Sequence, residues 1–212
     1  MSMGARGVIG LAVVLGIAPI CVVPGCSTPR RQQAESPRQS LGPPVALGQT
    51  FETAYFTAQA PPESGWALIR THDSLLAIGK MNWKTRESYA ATIWATTLPE
   101  PPTAAQFEEL VDELRRGDSM PPRHELLRTS EPTPADGGGL GLAYEMEVLD
   151  HTTTAGDGKK PMILEIHALV RQHPTRKNVV LTAKYSYRHV EGRRDPESAK
   201  KAEAFLAGVK IL

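Results

Sequence analysis

Three stretches in the second half of the chain alternate apolar and polar residues with a period of two. The stretches are LAYEMEVL, MILEIHALVR and NVVLTAKYSYR. This period puts every apolar side chain on one face of a β-strand. Pairing Val170 with Leu181 sets apolar residues opposite apolar residues throughout the last two strands, and a slip of one residue would undo every pair. The pattern therefore predicts an antiparallel meander of three strands.

Two other segments have the apolar spacing of amphipathic helices. Thr103 and Gln106 form a capping box, and Gly117 is the expected C-terminal stop. The first apolar stripe consists of Phe107, Leu110, Val111 and Leu114. Asp195 and Pro196 predict the cap and first residue of a second helix that runs nearly to Leu212. Its stripe consists of Ala199, Ala202, Leu206 and Val209, with Phe205 beside it.

The remaining apolar runs predict shorter strands. Residues 66–83 read as two strands around His72-Asp73-Ser74, residues 88–98 as a third and residues 124–129 as a fourth. The glycine-rich stretch 136–141 reads as a turn. The order is strands, a helix, four strands and a helix. This order predicts an α+β fold in which an antiparallel sheet packs against amphipathic helices.

The same order of elements carries a resemblance. A helix after the prolines at positions 99–102, then a long antiparallel meander and a closing amphipathic helix, resembles the PsbP-like α/β/α sandwich over about residues 60–212. That fold is shared by photosystem II PsbP proteins and bacterial DcrB-type lipoproteins. The resemblance implies a role in binding and assembly rather than catalysis.

The N-terminus differs from the rest of the chain. One basic residue, Arg6, precedes an apolar run of about 16 residues, from Val8 to Val23, that contains Pro19. A basic start followed by an apolar run is typical of a secretory signal peptide. A spanning helix needs about 20 residues, so a permanent transmembrane anchor is the weaker interpretation.

Both cysteines of the chain, Cys21 and Cys26, lie at the end of this run. Val23-Pro24-Gly25-Cys26 resembles the lipobox of bacterial lipoproteins, with proline where alanine or serine is usual. The resemblance implies a signal peptide over residues 1–25 and lipid attachment at Cys26. Ser27, where an aspartate would signal retention, implies the outer membrane facing the periplasm. The alternative is ordinary cleavage, with Cys26 a bystander.

The composition of the mature chain limits its possible partners, its disulfides and its number of domains. Removal of Arg6 leaves 23 Lys and Arg against 23 Asp and Glu, so no excess of positive charge predicts a nucleic-acid partner. Cys26 would then be the only cysteine, which excludes an internal disulfide. Residues 26–50 contain several prolines and read as a disordered tether. Residues 51–212 have the length of a single domain.

The search for chemistry predicts no catalytic residue, no metal site and no cofactor. The chain contains no Gly-x-Ser-x-Gly, His-Glu-x-x-His or phosphate-loop pattern. Among six histidines, His167 is the best candidate for ligand binding, because Glu165 precedes it on the polar face of its strand. The predicted register places Lys184 opposite His167, and a matching register would place Glu145 on its other side. The alternative is a polar sheet face with ordinary cross-strand pairs.

These observations favour a non-enzymatic, lipid-anchored protein of the bacterial envelope. Its partners would be the membrane, through the anchor, and an envelope protein. Two alternatives stay open. One is a secreted or anchored hydrolase in which His167 or His124 meets a carboxylate and a hydroxyl. The other is a metal-binding lipoprotein that uses scattered histidines and acidic residues.

Overall fold

The computed structural model describes residues 41–135, 139–156, 158 and 160–212, all within one compact unit, Gln39–Leu212. The fold of these residues is α+β, as the sequence predicts. The helices are α1 (Ala104–Asp118) and α2 (Ser198–Ala207). The strands are β1 (Thr50–Glu52), β2 (Phe56–Gln59), β3 (Ala67–His72), β4 (Leu75–Met81), β5 (Ser88–Thr97), β6 (His124–Thr129), β7 (Thr133–Pro134), β8 (Gly141–Thr154), β9 (Pro161–Gln172), β10 (Val179–Val190) and β11 (Lys210–Ile211).

The larger of two sheets has eight strands. Its order is β3-β4-β5-β10-β9-β8-β6, with β7 also paired to β8. All of its pairs are antiparallel. The long strands β8, β9 and β10 follow one another as neighbours, so the predicted meander is confirmed.

The register between β9 and β10 differs from the prediction by one residue. Val170 pairs with Thr182, and His167 pairs with Tyr185 rather than with Lys184. The prediction is wrong because it assumed a single apolar face, whereas every residue from Val179 to Ala183 is buried. Between β8 and β9, Glu145 does lie opposite His167, as expected.

The two helices cover opposite faces of the large sheet. Phe107 and Val111 of α1 pack on the even-numbered residues of β8 and β9, such as Met146 and Ile166. Ala202 and Phe205 of α2 pack on odd-numbered residues of β10. Successive side chains in a strand point to opposite faces, so odd and even positions of β8–β10 separate the two sides. We call them the α1 face and the α2 face.

The capping box of α1 is confirmed. The Thr103 hydroxyl accepts a hydrogen bond from the backbone of Gln106, whose side chain accepts from the backbone of Thr103. The predicted stop at Gly117 is wrong, because the helix continues to Asp118 and Ser119 is its C-cap. Asp118 is held there by Lys184 of β10, whose ammonium lies 2.6 Å from its carboxylate.

Helix α2 begins later and ends earlier than predicted. Asp195 is not its cap: the helix begins at Ser198 after Glu197. The Asp195 carboxylate instead accepts hydrogen bonds from Tyr89 and Lys201. The helix ends at Ala207, because the following residues turn into β11.

A second, three-stranded sheet was not predicted. Its order is β1-β2-β11, and its residues Phe51, Phe56 and Ala58 join the core under α2. Residues 41–50, which the sequence assigns to the tether, are also folded. Val45 is buried, and its backbone N–H donates to the carbonyl of Trp66. The expected tether is thereby restricted to residues 26–40.

The predictions for the N-terminus lie outside the described residues. They comprise the signal peptide over residues 1–25, lipid attachment at Cys26 and the part of the predicted 26–50 tether that precedes residue 41. Of the glycine-rich stretch 136–141, only residues 139–141 are described. Within the described ranges, neither helix is long and apolar enough to cross a membrane.

Candidate functional site

A shallow cavity of about 130 Å³ lies on the α2 face. We call it the central groove. It is formed by β8 and β9, by the end of β6 and by the segment that leads into α2. Its charged and titratable lining residues are Arg128, Glu145, Glu147, Glu165, His167 and Arg194. The three residues singled out from the sequence, His167, Glu145 and Glu165, therefore lie together in it.

His167 and Glu145 form a cross-strand pair in the groove. Nδ1 of His167 lies 3.2 Å from Oε1 of Glu145. The histidine side chain is almost buried, whereas the glutamate side chain is 59% exposed. The expected third member of this row, Lys184, is absent, because the register of β10 places it on the α1 face over the ring of Trp94.

Glu165, the third predicted residue, also takes part in a buried network beside the groove. It is 2% exposed and lies at the centre of a charged network. Its two oxygens bind the Arg194 guanidinium, with Nε–Oε1 at 2.7 Å and Nη2–Oε2 at 2.9 Å. Ser198 donates a hydrogen bond to Oε2 at 3.1 Å. Nε2 of the buried His189 lies 2.9 Å from Oε1 in an ion-pair contact.

This network shifts the pKa values of both buried partners. Burial by itself would raise the pKa of Glu165, but the contacts with His189 and Arg194 outweigh it and hold that pKa below its ordinary value. Burial would lower the pKa of His189, but its contact with Glu165 outweighs burial and raises that pKa. Both shifts favour an imidazolium paired with a carboxylate.

The segment that carries Arg194 is fixed at a second point. Asp195 accepts a hydrogen bond from the Tyr89 hydroxyl at 2.8 Å and from Lys201 at 2.7 Å. The ring of Tyr187 stacks on Tyr89 at 4.4 Å and on His189 at 4.9 Å. The Arg194 side of the groove therefore rests on β5, β9 and β10 at once, which makes it a rigid wall.

The opposite wall comes from the edge strand β6. Its pairing with β8 shifts by one residue between Leu126 and Arg128, which is the signature of a β-bulge. Past the bulge, Arg128 binds Glu147 at 2.8 Å. The Ser130 hydroxyl accepts a hydrogen bond from the backbone N–H of Glu145. Glu147 also lies 3.9 Å from Arg194, so charges of both signs meet across the groove.

The other histidines lie apart from the central groove. His151 contacts Glu125 on the surface, and His173 accepts hydrogen bonds from the backbone of its own turn. Burial lowers the pKa of His124. Among the described residues, no group of three or more histidine, cysteine or acidic side chains could hold a metal ion.

Sequence reasoning missed the charged groove residues Arg128, Glu147 and Arg194, and it missed His189 of the network beside them. His189 continues the odd-numbered face of β10, so strand parity offered a signal for it. Arg194 lies in a loop with no period, and Arg128 follows a bulge. Neither residue had a local signal, because both positions depend on long-range contacts.

Comparison with known proteins gives little. No protein-family model matches the chain, and no curated protein matches it. A mutant of the protein Mog1 is similar in structure, with 9% identity and a TM-score of 0.40 over 74% of this chain and 90% of that chain. The Ran-binding protein Mog1p of Saccharomyces cerevisiae has 10% identity and a TM-score of 0.38 over 74% and 89% of the two chains. Neither is a PsbP protein, and likenesses this weak carry no conclusion about function.

Proposed function

We propose that the chain is a lipid-anchored, non-enzymatic binding module of the bacterial envelope, with a PsbP-like α/β/α sandwich as its folded part. The lipobox-like residues Val23–Cys26 support the anchor. The placement of α1 and α2 on opposite faces of an antiparallel sheet supports the sandwich. The outer membrane, facing the periplasm, is the proposed location.

The central groove carries the binding part of this proposal. Arg128, Glu145 and Arg194 are all about half exposed or more, so charges of both signs are available to a partner. A cavity of about 130 Å³ is smaller than the roughly 300–1,000 Å³ of small-molecule pockets. It has the size for one charged side chain of an envelope protein, and the buried Glu165 network keeps its wall rigid before binding.

The anchor is tested by intact-mass spectrometry of protein extracted from the membrane fraction. We expect a chain that begins at Cys26 and carries two or three acyl groups, because one acyl chain alone binds a membrane only weakly. The Cys26→Ser variant should appear as unmodified soluble protein. A Cys26→Ser protein that stays membrane-bound, and whose mass differs from that of the wild type only by the substitution itself, would refute the anchor.

The groove is tested by site-specific photo-cross-linking from Thr129 on its rim, in the bacterium that produces the protein. We expect a discrete cross-linked partner that is lost in the Arg128→Glu variant. Arg70→Glu is the matched control, because Arg70 is exposed on β3 at the opposite edge of the same sheet. Equal cross-linking in both variants would exclude the groove as the binding site.

A hydrolase is the second candidate, because His167, Glu145 and the hydroxyls of Thr129 and Ser130 all line the groove. Against it, Glu145 is the only hydrogen-bond partner of the His167 ring among the described residues. A hydrolytic nucleophile needs a base within hydrogen-bond reach. Hydrolysis of p-nitrophenyl acetate that disappears in His167→Ala would favour this candidate, and a rate that is insensitive to the variant would count against it.

A further inference from the structure

A second, larger cavity lies at the other end of the same sheet face. It has a volume of about 300 Å³, and we call it the end cavity. It is bounded by the start of β8, the end of β9 and the strand β11 of the small sheet. The polar residues that line it are Arg171, Gln172 and Lys210. None of the described residues that line it carries a carboxylate side chain.

Arg171 enters this cavity with an unsatisfied donor. Its Nε–H is buried and has no hydrogen-bond partner among the described residues. Its strand neighbour is Gly141, where an added Cβ would lie 3.4 Å from Cγ of Arg171. The closest approach would be to the backbone carbonyl oxygen of Ala135, at 3.1 Å, so the glycine mainly makes room for the backbone at Ala135, with Arg171 in ordinary contact beside it. A buried donor without a partner costs free energy, and such a group in a folded protein calls for an explanation.

Lys210 adds a second positive charge without a counter-ion among the described residues. It lies on β11, which joins the small sheet through Thr57, and it is among the residues that line the same cavity. The Gln172 amide is already engaged, because it donates to the carbonyl of Lys177 at 2.7 Å. Two cationic residues therefore border one concave space, and none of its described lining residues carries a compensating negative side chain.

The rest of the wall is apolar. It consists of Ala135, Leu140, Pro174, Val209 and Ile211, together with glycine backbone. An arginine fork matches the two oxygens of a carboxylate. Apolar side chains around such a charge suit a ligand with a hydrocarbon part, and they offer little to a bare inorganic ion.

We propose that the end cavity binds a small organic acid, with its carboxylate on Arg171 and Lys210 and its hydrocarbon body against Leu140 and Val209. The volume lies at the lower end of the range for small-molecule sites, which restricts the ligand to a short chain or a single ring. This site is independent of the central groove, since the two cavities share no lining residue.

The test is isothermal titration of the purified full-length protein with hexanoate, acetate and 1-hexanol at neutral pH. We expect saturable one-to-one binding of hexanoate, with a dissociation constant in the millimolar range for so small a ligand. Acetate lacks the hydrocarbon body and hexanol lacks the charge, so both should bind at least about tenfold more weakly. Failure of hexanoate to saturate, or equal binding of acetate, would overturn the proposal.

Variants locate the binding. Arg171→Gln should weaken hexanoate binding by about tenfold or more, because it removes the charged fork. Lys210→Gln is on the surface and leaves the core untouched, so it tests the site even if Arg171→Gln folds poorly. Arg128→Gln is the matched control in the central groove and should bind hexanoate as the wild type does. Unchanged affinity in both Arg171→Gln and Lys210→Gln would refute the assignment.

Discussion

The central groove and the end cavity lie along the same face of the same strand, yet they treat their arginines differently. In the groove, Arg194 meets the buried carboxylate of Glu165 and is neutralised by it. In the end cavity, Arg171 of β9 has a buried Nε–H that no described side chain accepts. Leu169 lies between the two regions on the strand. The difference suggests that the charges beside the groove have a structural role, whereas the charge of Arg171 in the end cavity is available to bind a ligand.

Substitution of Glu165 should have the largest effect on stability and tests the structural role of the groove charges most directly. Glu165→Gln leaves His189 and Arg194 without the carboxylate that balances them, and removing one partner of a buried pair costs about 3–5 kcal/mol. We expect a loss of that size in the free energy of unfolding, measured by urea denaturation.

Glu147→Gln is the matched control for this change. Glu147 lies on the neighbouring strand β8 and binds Arg128, which is 62% exposed. An exposed pair contributes less than about 1 kcal/mol. Equal losses in Glu147→Gln and Glu165→Gln would mean that the buried network does not stabilise the fold.

The two arginines can be compared directly. Arg194→Gln removes two charge-assisted contacts from Glu165 and should lower the free energy of unfolding by about 2 kcal/mol. Arg171→Gln removes no ion pair, so we expect a change within about 1 kcal/mol in either direction. Thermal denaturation of both variants checks this. A large loss in Arg171→Gln would show that this arginine has a structural partner and would contradict the contrast.

The smallest expected effect is a pH dependence from His189. Its pKa is raised in the folded protein, so its stabilising contribution is fully present below its ordinary pKa of about 6.5 and is lost as pH rises through the folded pKa. Glu165 has a lowered pKa, so its contribution is present above its ordinary value and is lost as pH falls through the folded one.

We expect the stability difference between the wild type and His189→Gln to shrink as pH rises above about 6.5. Urea denaturation at a series of pH values measures it. Taking the difference cancels the contributions of Asp150, Glu63 and Asp195, whose pKa values are also lowered. A difference that grows with pH in this range would have the opposite sign to the one predicted.

The sequence predicted the parts of the fold that follow from local period. The meander, the capping box at Thr103 and the pairing of Glu145 with His167 all rest on patterns within one or two neighbouring elements. The predicted register of β10 was wrong because side chains on both faces of this strand are buried. The alternation of apolar and polar residues then no longer distinguishes one pairing from a pairing shifted by one residue. The strands β1, β2 and β11 have only two to four residues each, which is too short for a period to show.

The candidate site was predictable to the same extent. Glu165 and His167 lie on the same face of β9, and Glu145 lies opposite His167 on the neighbouring strand β8. Alternation along the two strands is therefore enough to bring the three residues together. Asp195 was misassigned as a helix cap because its side-chain partners are not local to a cap. Tyr89 lies on β5, and Lys201 lies within α2 rather than at its start. The environment of Arg171 could not be predicted from the sequence either, because it also depends on long-range contacts. Its cavity forms only where the large sheet and the small sheet meet.

The pairing of β11 with β2 has a consequence for how the protein forms. Lys210 pairs with Thr57, so the small sheet that covers the core under α2 is complete only after almost the whole described chain has emerged from the ribosome. Contacts between such distant segments slow folding, because a large loop must close first. Until β11 is made, the edge of β2 that pairs with it has unpaired backbone N–H and C=O groups, and another strand could pair there.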